Sequence, residues 1–248
     1  MITLKSKREI EMIRASAKIL KAVLSELEKL VRPGISTEDL DKVAHRMITE
    51  SGAKPSFVGY RGFPASICAS INDEVVHGIP SKHRVLKEGD IVSIDCGVYL
   101  GGYHADAART VPVGKVSEEA EELIRVTRDS VFKSLKDAVK PGAKMGDLSH
   151  AIQSYVESNG FSVVRDYVGH GIGRELHEEP AVPNYGKPNR GITLEPGLVL
   201  AIEPMVNAGG PEVRVKEDAW TVVTEDGEIS SHHEETVVIT PNGYEILT

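Results

Sequence analysis

Cysteine is scarce in this chain, which has only Cys68 and Cys96 among its 248 residues. Two cysteines that do not form a Cys-x-x-Cys motif exclude a disulfide framework and give no redox signature. Because free cysteines are usually buried, we expect both to lie in the core as small hydrophobic side chains.

Long apolar runs and an excess of positive charge are also missing. The longest apolar stretches, such as residues 197–202, are far shorter than a membrane span. Residues 1–8 contain no apolar signal core. The net charge of −8 argues against sequence-independent nucleic-acid binding, which needs Lys and Arg to neutralise phosphates. We therefore expect a cytoplasmic protein with no membrane association and no direct nucleic-acid specificity.

A ten-residue segment that ends in an acid occurs twice. Residues 86–95 (LKEGDIVSID) recur as residues 194–203 (LEPGLVLAIE), 108 positions later, so that Asp95 falls on Glu203. A fixed offset indicates that one supersecondary unit is packed against its copy. A period this long predicts a pseudo-twofold pair of halves.

The hydrophobic content of 40% and the charged content of 27% are ordinary for a globular protein. The length alone allows one large domain or two small ones, and the repeat favours one. We predict a single catalytic domain over residues 1–248, with an internal repeat at about 6–112 and 117–240.

Each half begins with two predicted helices, followed by segments rich in β-formers. The first helix has a capping box at Ser6–Glu9 and apolar residues at helical spacing up to Pro33-Gly34. Helices in pairs and strands in runs favour an α+β fold in which helices cover one face of an antiparallel sheet. The predicted helices are 6–31, 36–50, 117–139 and 146–159, and the predicted strands are 66–72, 90–98, 103–111, 163–169, 198–206, 219–224 and 229–240.

Asp95 and Asp106 lie on successive predicted strands joined around Leu100-Gly101. A symmetric turn there places the two acids directly opposite each other, with Cβ atoms about 4.5–5.5 Å apart. Like charges at this distance are destabilising, so a cation is expected between them. The alternative is a register shifted by one residue, which turns the acids to opposite faces.

Two histidines flank a glycine-rich turn. A turn at Gly173-Arg174 would pair His170 with His177, although a purely structural turn explains this pair equally well. Further acids nearby favour a functional cluster.

Glu203 ends its strand before Pro204, and Glu234 and Glu235 stand at the head of the last predicted strand. One of the latter two can point inward.

Five separated motifs, in this order, resemble the type I methionine aminopeptidases. They are His77-Gly-Ile-Pro, the pair Asp95 and Asp106, Gly169-His-Gly-Ile-Gly with His177-Glu-Glu-Pro, Ala201-Ile-Glu-Pro-Met-Val, and Trp220-Thr-Val-Val. The resemblance covers essentially the whole chain and is closest in form to the short bacterial enzymes. It implies the pita-bread (creatinase/aminopeptidase-like) fold. It also implies a metallo-exopeptidase that removes the initiator methionine from nascent polypeptides when the second residue is small.

The resemblance further implies which residues form the site. A hydroxide bridging two divalent ions attacks the substrate carbonyl, His177 donates to the carbonyl oxygen, His77 contacts the peptide, and Glu203 acts as general base and acid. The implied metal ligands are Asp95, Asp106, His170, Glu203 and Glu234. The implied substrate-binding residues are Tyr60, Phe63, Cys68, His77, Leu176, His177 and Trp220.

The chemistry of the ligand set agrees with this assignment. Four buried carboxylates carry about as much negative charge as two divalent ions carry positive charge, whereas the acids alone would pay a severe desolvation penalty. Oxygen ligands with one imidazole suit Co, Mn, Fe or Zn in a catalytic centre. We expect two such ions per chain, of undetermined identity.

Three departures from the family pattern affect the pocket and the neighbours of the ligands. Leu176 stands where an aromatic residue is common, and Phe57 stands where a cysteine is common. Residues 232–235 (HHEE) stand where Gln-x-Glu-His is expected. Among the other histidines, we expect structural roles for His45, His83 and His150. His104 has either a role in the site or a packing role.

Other functions on the same fold were considered. Prolidases and proline-specific aminopeptidases usually carry a large N-terminal domain, for which the first helix leaves no room, and a type II relative would carry an insertion between His177 and Glu203. A catalytically silent peptide-binding module would be expected to lose ligands. The expected partners are peptide or nascent-protein N-termini, with the ribosome near its exit tunnel as a further candidate, and the expected state is a monomer.

Overall fold

The computed structural model describes residues 1–248 as four α-helices and fifteen β-strands. The helices are α1 (Lys7–Leu30), α2 (Thr37–Glu50), α3 (Glu118–Ala138) and α4 (Met145–Ser158). The strands are β1 (Lys54–Pro55), β2 (Ile67–Ile71), β3 (Glu74–Val76), β4 (Ile91–Leu100), β5 (Tyr103–Pro112), β6 (Ser162–Val163), β7 (Gly169–Gly171), β8 (Glu178–Val182), β9 (Val199–Ile202), β10 (Met205–Asn207), β11 (Val213–Val215), β12 (Val222–Thr224), β13 (Ser230–His232), β14 (Glu235–Thr240) and β15 (Gly243–Ile246).

All four predicted helices are present, and the first two begin at the predicted caps. Ser6 and Glu9 form a reciprocal capping box at the start of α1, and Ser36 and Asp39 form another at the start of α2. α1 buries one apolar stripe against the sheet. This stripe consists of Ile13, Ala17, Leu20, Val23, Leu24 and Leu27.

All strand pairs are antiparallel, which confirms the α+β class. A four-stranded sheet has the order β1-β4-β2, with β5 also paired to β4, and a five-stranded sheet has the order β15-β14-β9-β7-β8. Two three-stranded sheets complete the fold. One hydrophobic cluster joins α1 and α2 to the first sheet, and a second joins α3 and α4 to the second.

Matching contacts recur at the offset of the sequence repeat. The isolated bridge between Ser36 and Val85 has its counterpart between Lys144 and Thr193, 108 residues later in both partners. The Leu86 amide donates to Ile35, as the Leu194 amide donates to Ala143. The assignment of one catalytic domain stays a prediction, as do the boundaries of the internal repeat at 6–112 and 117–240.

The two large sheets meet at β5 and the start of β14. The Glu234 amide donates to the Ala108 carbonyl over 3.0 Å. The Thr236 hydroxyl donates to the Asp106 carbonyl over 2.8 Å, and the Asp106 amide lies 3.0 Å from the same hydroxyl oxygen. This junction brings acids from both halves of the chain together.

Three predicted strands are wrong as continuous segments. The prediction for 198–206 breaks at Glu203-Pro204, where proline has no amide hydrogen to continue the ladder. Residues 163–169 contain only the ends of β6 and β7, and residues 229–240 break at His233-Glu234. Two of these breaks contain Glu203 and Glu234, which line the same cavity.

The strand predicted at 219–224 is shorter in the structure, where only β12 forms. Several other short strands were not predicted, because so few residues do not give a recognisable periodic pattern. The unpredicted strands are β1, β3, β8, β11 and β15. No helix of the structure combines the length and apolarity that crossing a membrane requires.

Candidate active site

The turn between β4 and β5 sets the positions of the first two acids. The turn residues are Gly101 and Gly102, both with positive φ (60° and 94°), so the strands pair Gly97 with Asp106 and Asp95 with Ala108. The predicted direct pairing of Asp95 with Asp106 is therefore wrong by two residues. A shift of two keeps both side chains on one face of the sheet, as diagonal neighbours.

The turn between β7 and β8 differs from the prediction in a similar way. Gly171 pairs with Glu178 and the ladder has a bulge, so His170 and His177 are not backbone partners. Their rings nevertheless lie close, with centroids 4.1 Å apart. The glycines permit this because a Cβ on Gly169 or Gly171 would fall about 2.3–2.4 Å from a backbone oxygen of a neighbouring strand.

One cavity collects every residue proposed for the site. It is an open cleft between the two large sheets and the segment around Tyr60. Its lining consists of Phe57, Tyr60, Arg61, Phe63, Cys68, His77, Asp95, Asp106, His170, Leu176, His177, Glu203, Trp220 and Glu234.

Two of these lining residues were not predicted as site residues. Phe57 was noted only as a departure from the family pattern, and no sequence signal marked Arg61, which adopts a left-handed φ of 50°. His232 was also not predicted, although its Nε2 lies 3.5 Å from Glu203. Its signal was the substitution of histidine for the glutamine of the family pattern.

The four acids of the cavity repel one another in a buried space. Burial raises the pKa of Asp95 to about 7 and that of Glu203 to about 7. Burial, with the charge of Asp95, raises the pKa of Asp106 well above its usual range. Burial and Asp106 do the same to the pKa of Glu234. A cation bound between the acids would lower these pKa values again, because an opposite charge nearby favours the carboxylate form.

Unpaired polar atoms at the acids fit a bound cation. Asp95 Oδ1, Asp106 Oδ1 and Glu234 Oε1 are buried without a hydrogen-bond partner. Asp106, His170 and Glu234 each present a ligand atom within 4.8 Å of the others. His170 Nε2 also lies 3.5 Å from Glu203 Oε1. These oxygen and nitrogen donors are the ligands expected of a catalytic transition-metal centre.

Only one of the two adjacent glutamates at β14 faces the cavity. Glu234 lines it, whereas Glu235 binds Arg109, His233 and Thr248 outside it. The difference follows from alternation along an extended chain.

His177 and His77 lie at the sides of the acid cluster. His177 Nδ1 is 2.8 Å from the Tyr60 hydroxyl. Desolvation by the surrounding cavity, with the neighbouring His170, lowers the pKa of His177 to about 3, and burial lowers the pKa of His77 to about 4. Both imidazoles are therefore neutral at physiological pH.

The apolar part of the cavity is formed by aromatic edges. The rings of Phe63 and Trp220 meet edge-on with centroids 5.1 Å apart, and His77 meets Trp220 at 6.4 Å. Cys68 and Leu176 are buried against them. Burial raises the pKa of the Cys68 thiol, which keeps it a small apolar group.

The remaining histidines lie outside the cavity lining. His104 Nδ1 bonds to the Ser56 hydroxyl, His45 Nδ1 to the Ser66 hydroxyl, and His150 Nδ1 to a backbone carbonyl. His83 is exposed.

Residues 11–241 match the sequence profile of metallopeptidase family M24. The chain belongs to metallopeptidase family M24. Over 248 residues, this M24 chain is 58% identical to the methionine aminopeptidase of Clostridium acetobutylicum, with 100% of the chain and 99% of the relative covered. Methionine aminopeptidase 1 of Bacillus subtilis is 54% identical over 248 residues, with 100% of the chain and 99% of the relative covered.

Solved structures agree with the sequence comparison. The methionine aminopeptidase of Thermotoga maritima superposes with a TM-score of 0.98 at 49% identity, covering 100% of this M24 chain and 99% of its own. The prolidase of Pyrococcus horikoshii superposes with a TM-score of 0.79 at 24% identity, covering 99% of this chain and 63% of its own, which shows the fold alone. The predicted pita-bread fold is confirmed, as is the prediction of a metallo-exopeptidase of the methionine aminopeptidase type.

Proposed function

We propose that this M24 enzyme removes the initiator methionine from nascent polypeptides whose second residue is small. The observation that carries the proposal is that five ligand-type side chains and a set of aromatic side chains line the same cavity. The proposed substrate is a free peptide or protein N-terminus.

Two divalent ions are proposed for the acid cluster, held by the four carboxylates and His170. Bound there, such ions would polarise the substrate carbonyl and supply a hydroxide nucleophile at neutral pH. Their charge would also balance the carboxylates and relieve the burial penalty that raises the pKa values of the acids. Co, Mn, Fe and Zn all suit this donor set.

His177 is proposed to stabilise the anionic oxygen that develops on the substrate carbonyl. Its Nδ1 faces the Tyr60 hydroxyl, which leaves Nε2 as the nitrogen available to the cavity. A neutral imidazole with a proton on Nε2 is a hydrogen-bond donor that needs no reorganisation during the reaction. His77, whose ring meets Trp220 edge-on, is proposed to contact the peptide backbone.

Glu203 is proposed as the general base and acid. Its Oε1 lies beside His170, a proposed ligand, and its Oε2 is directed away from that contact. Oε2 can take the proton of the attacking water and return it to the leaving amine.

The aromatic pocket is proposed to select methionine. A thioether is flexible and polarizable and packs well on aromatic edges, which Phe63 and Trp220 present here. Leu176 and Cys68 supply apolar walls, and the Tyr60 ring closes one side.

The decisive test is release of free methionine from Met-Gly-Met-Met by the metal-stripped protein. Mn, Fe, Co and Zn are added back in turn, and Glu203→Ala and Glu234→Ala are assayed in parallel. Glu235→Gln is a matched control, because this neighbouring buried acid lies outside the cavity. We expect metal-dependent release that is lost in both alanine variants and kept in the control.

Two further peptides separate the alternatives. Met-Lys-Met-Met tests the preference for a small second residue, and we expect slower release from it. Absence of methionine release with every metal would contradict the proposal. An Ala-Pro peptide would then distinguish a proline-specific peptidase, which would cleave it, from a silent binding module, which would not.

A further inference from the structure

His232 presents an unpaired nitrogen to the candidate metal centre. The residue is 1% exposed, and its Nε2 has no hydrogen-bond partner. Nε2 lies 3.5 Å from Glu203 Oε2, and His170 Nε2 lies 3.5 Å from Glu203 Oε1. Each oxygen of the Glu203 carboxylate therefore faces one imidazole.

The backbone of His232 is held firmly in place. Its amide donates to the Thr110 hydroxyl oxygen over 2.9 Å, and its carbonyl accepts from that hydroxyl at 2.9 Å. His232 also pairs with Met205 across β13 and β10. Met205 lies two residues after Glu203, so the same strand pair fixes the histidine and the chain directly after the glutamate.

The group that His232 Nε2 faces indicates which neutral tautomer the imidazole adopts. A lone pair on Nε2 would point at a carboxylate oxygen, which is repulsive, whereas an Nε2–H gives that oxygen a donor. Leaving a buried donor or acceptor unmatched costs about 1–3 kcal/mol. A short approach between Nε2–H and Oε2 removes this cost for both groups.

We propose that His232 is a positioning residue for Glu203, with Nε2–H donating to Oε2. The inference rests on the proposed function of Glu203. The contact holds the carboxylate so that Oε1 stays beside His170. Oε2 accepts the histidine with one lone pair and keeps the other for the proton that it moves.

Direct metal coordination is the competing role for this nitrogen. Glu203, His232 and Glu234 each present a ligand atom within 4.8 Å of the others. A glutamine at this position separates the two roles. Its amide is a hydrogen-bond donor, but it has no imidazole nitrogen to bind a metal.

The test compares His232→Ala and His232→Gln with the wild-type protein. His233→Gln is the control, because this adjacent buried histidine bonds to Glu235 rather than to the cluster. Co(II) binding to the metal-stripped proteins is measured by titration calorimetry. The visible absorption of the Co(II) forms, and kcat and KM for Met-Gly-Met-Met, are recorded on the same preparations.

A positioning role predicts that His232→Ala weakens Co(II) binding about 10–100-fold, as is typical for groups that orient metal ligands. It also predicts a lower kcat with a nearly unchanged KM. His232→Gln should restore most of both losses and keep the wild-type Co(II) spectrum. The control should match the wild type in affinity and spectrum.

Two results would overturn the inference. One is wild-type affinity and kcat in His232→Ala. The other is a His232→Gln protein as impaired as the alanine variant, with an altered Co(II) spectrum, which would indicate direct coordination. Failure of the wild-type protein to release methionine would contradict the proposed function instead, while the Co(II) titrations would still decide the role of His232.

Discussion

The Nδ1 of His177 lies 2.8 Å from the Tyr60 hydroxyl, and the two rings stack with centroids 5.1 Å apart. Assigning the proton of this hydrogen bond to the hydroxyl leaves the other imidazole nitrogen protonated. Because burial lowers the pKa of His177 to about 3, the ring stays neutral and keeps this tautomer at physiological pH. Tyr60 thus both bounds the pocket and orients the imidazole that is proposed to act on the substrate carbonyl.

The Tyr60→Phe substitution is expected to lower kcat. It keeps the stacked ring but removes the hydroxyl that fixes the tautomer, and one net hydrogen bond is worth up to about 1.5 kcal/mol, or about tenfold in rate. His177→Ala removes the donor itself and should cost about 10²–10³-fold. Steady-state kinetics with Met-Gly-Met-Met measure both. An unchanged kcat in Tyr60→Phe would show that the hydroxyl does not orient His177.

The metal-free protein is expected to lose stability as the pH rises from about 6.5 to about 8. Burial places the folded-state pKa values of Asp95 and Glu203 near 7, above their usual values of 3.8 and 4.5. Below about pH 6.5 the lowered pKa values of His77 and His177 act in the opposite direction, because the unfolded chain then binds more protons at these imidazoles. Above that pH the folded protein binds more protons at the two carboxyls than the unfolded chain does, so its stability falls as the pH rises. Each unit of pKa shift corresponds to about 1.4 kcal/mol.

Thermal unfolding of the metal-stripped protein at several pH values measures this effect. One kcal/mol moves Tm by about 2–4 °C in a chain of this size, so the decrease should be clearly visible. Saturating Mn(II) is expected to raise Tm most at the upper end of this window, because the metal binds the deprotonated carboxylates of the folded state. A metal-free Tm that increased from about pH 6.5 to about pH 8 would contradict the burial of uncompensated acids.

The Asp106→Asn substitution is expected to stabilise the metal-free protein while weakening metal binding. The pKa of Asp106 is raised well above its usual range by burial and by the charge of Asp95, and asparagine removes a buried charge with little change in shape. At pH 8 the metal-free variant should have a higher Tm than the metal-free wild type. Calorimetric titration with Mn(II) should show weaker binding. A lower Tm would indicate that Asp106 contributes to stability without a metal.

The helices could be predicted from sequence because their signals are local. A capping box at Ser6 and apolar residues at helical spacing lie within one segment, and α1 begins one residue later. The acid at the end of each repeated segment could also be recognised without a structure, because Asp95 and Glu203 end the same pattern.

The strand register and the neighbours of the ligands could not be predicted in this way. The pairing of Asp106 with Gly97 depends on whether Leu100-Gly101 or Gly101-Gly102 forms the turn, and the local sequence allows both. The approach of His232 to Glu203 depends on the pairing of β13 with β10, which joins segments far apart in sequence. Such contacts are set by tertiary packing, so a local pattern carries no signal for them.

Arg109 is expected to be a major contributor to stability at the junction of the sheets. Its Nη1 donates to the Ala108 and Glu234 carbonyls over 2.8 and 2.6 Å, and its Nη2 lies 2.8 Å from Oε1 of Glu235, which is 2% exposed. Arg109→Ala leaves a buried carboxylate without its cation, at a cost of about 3–5 kcal/mol.

The partner of this ion pair provides the control for Arg109→Ala. In denaturant unfolding, Arg109→Ala combined with Glu235→Gln should be less destabilised than the sum of the single variants, because the second change removes the unpaired charge. Arg109→Lys should recover only part of the loss, since an ammonium group cannot reproduce the planar set of bonds to two carbonyls and a carboxylate. Additive effects of the two substitutions would mean that the ion pair contributes nothing, and that Arg109 stabilises the junction only through the Ala108 and Glu234 carbonyls.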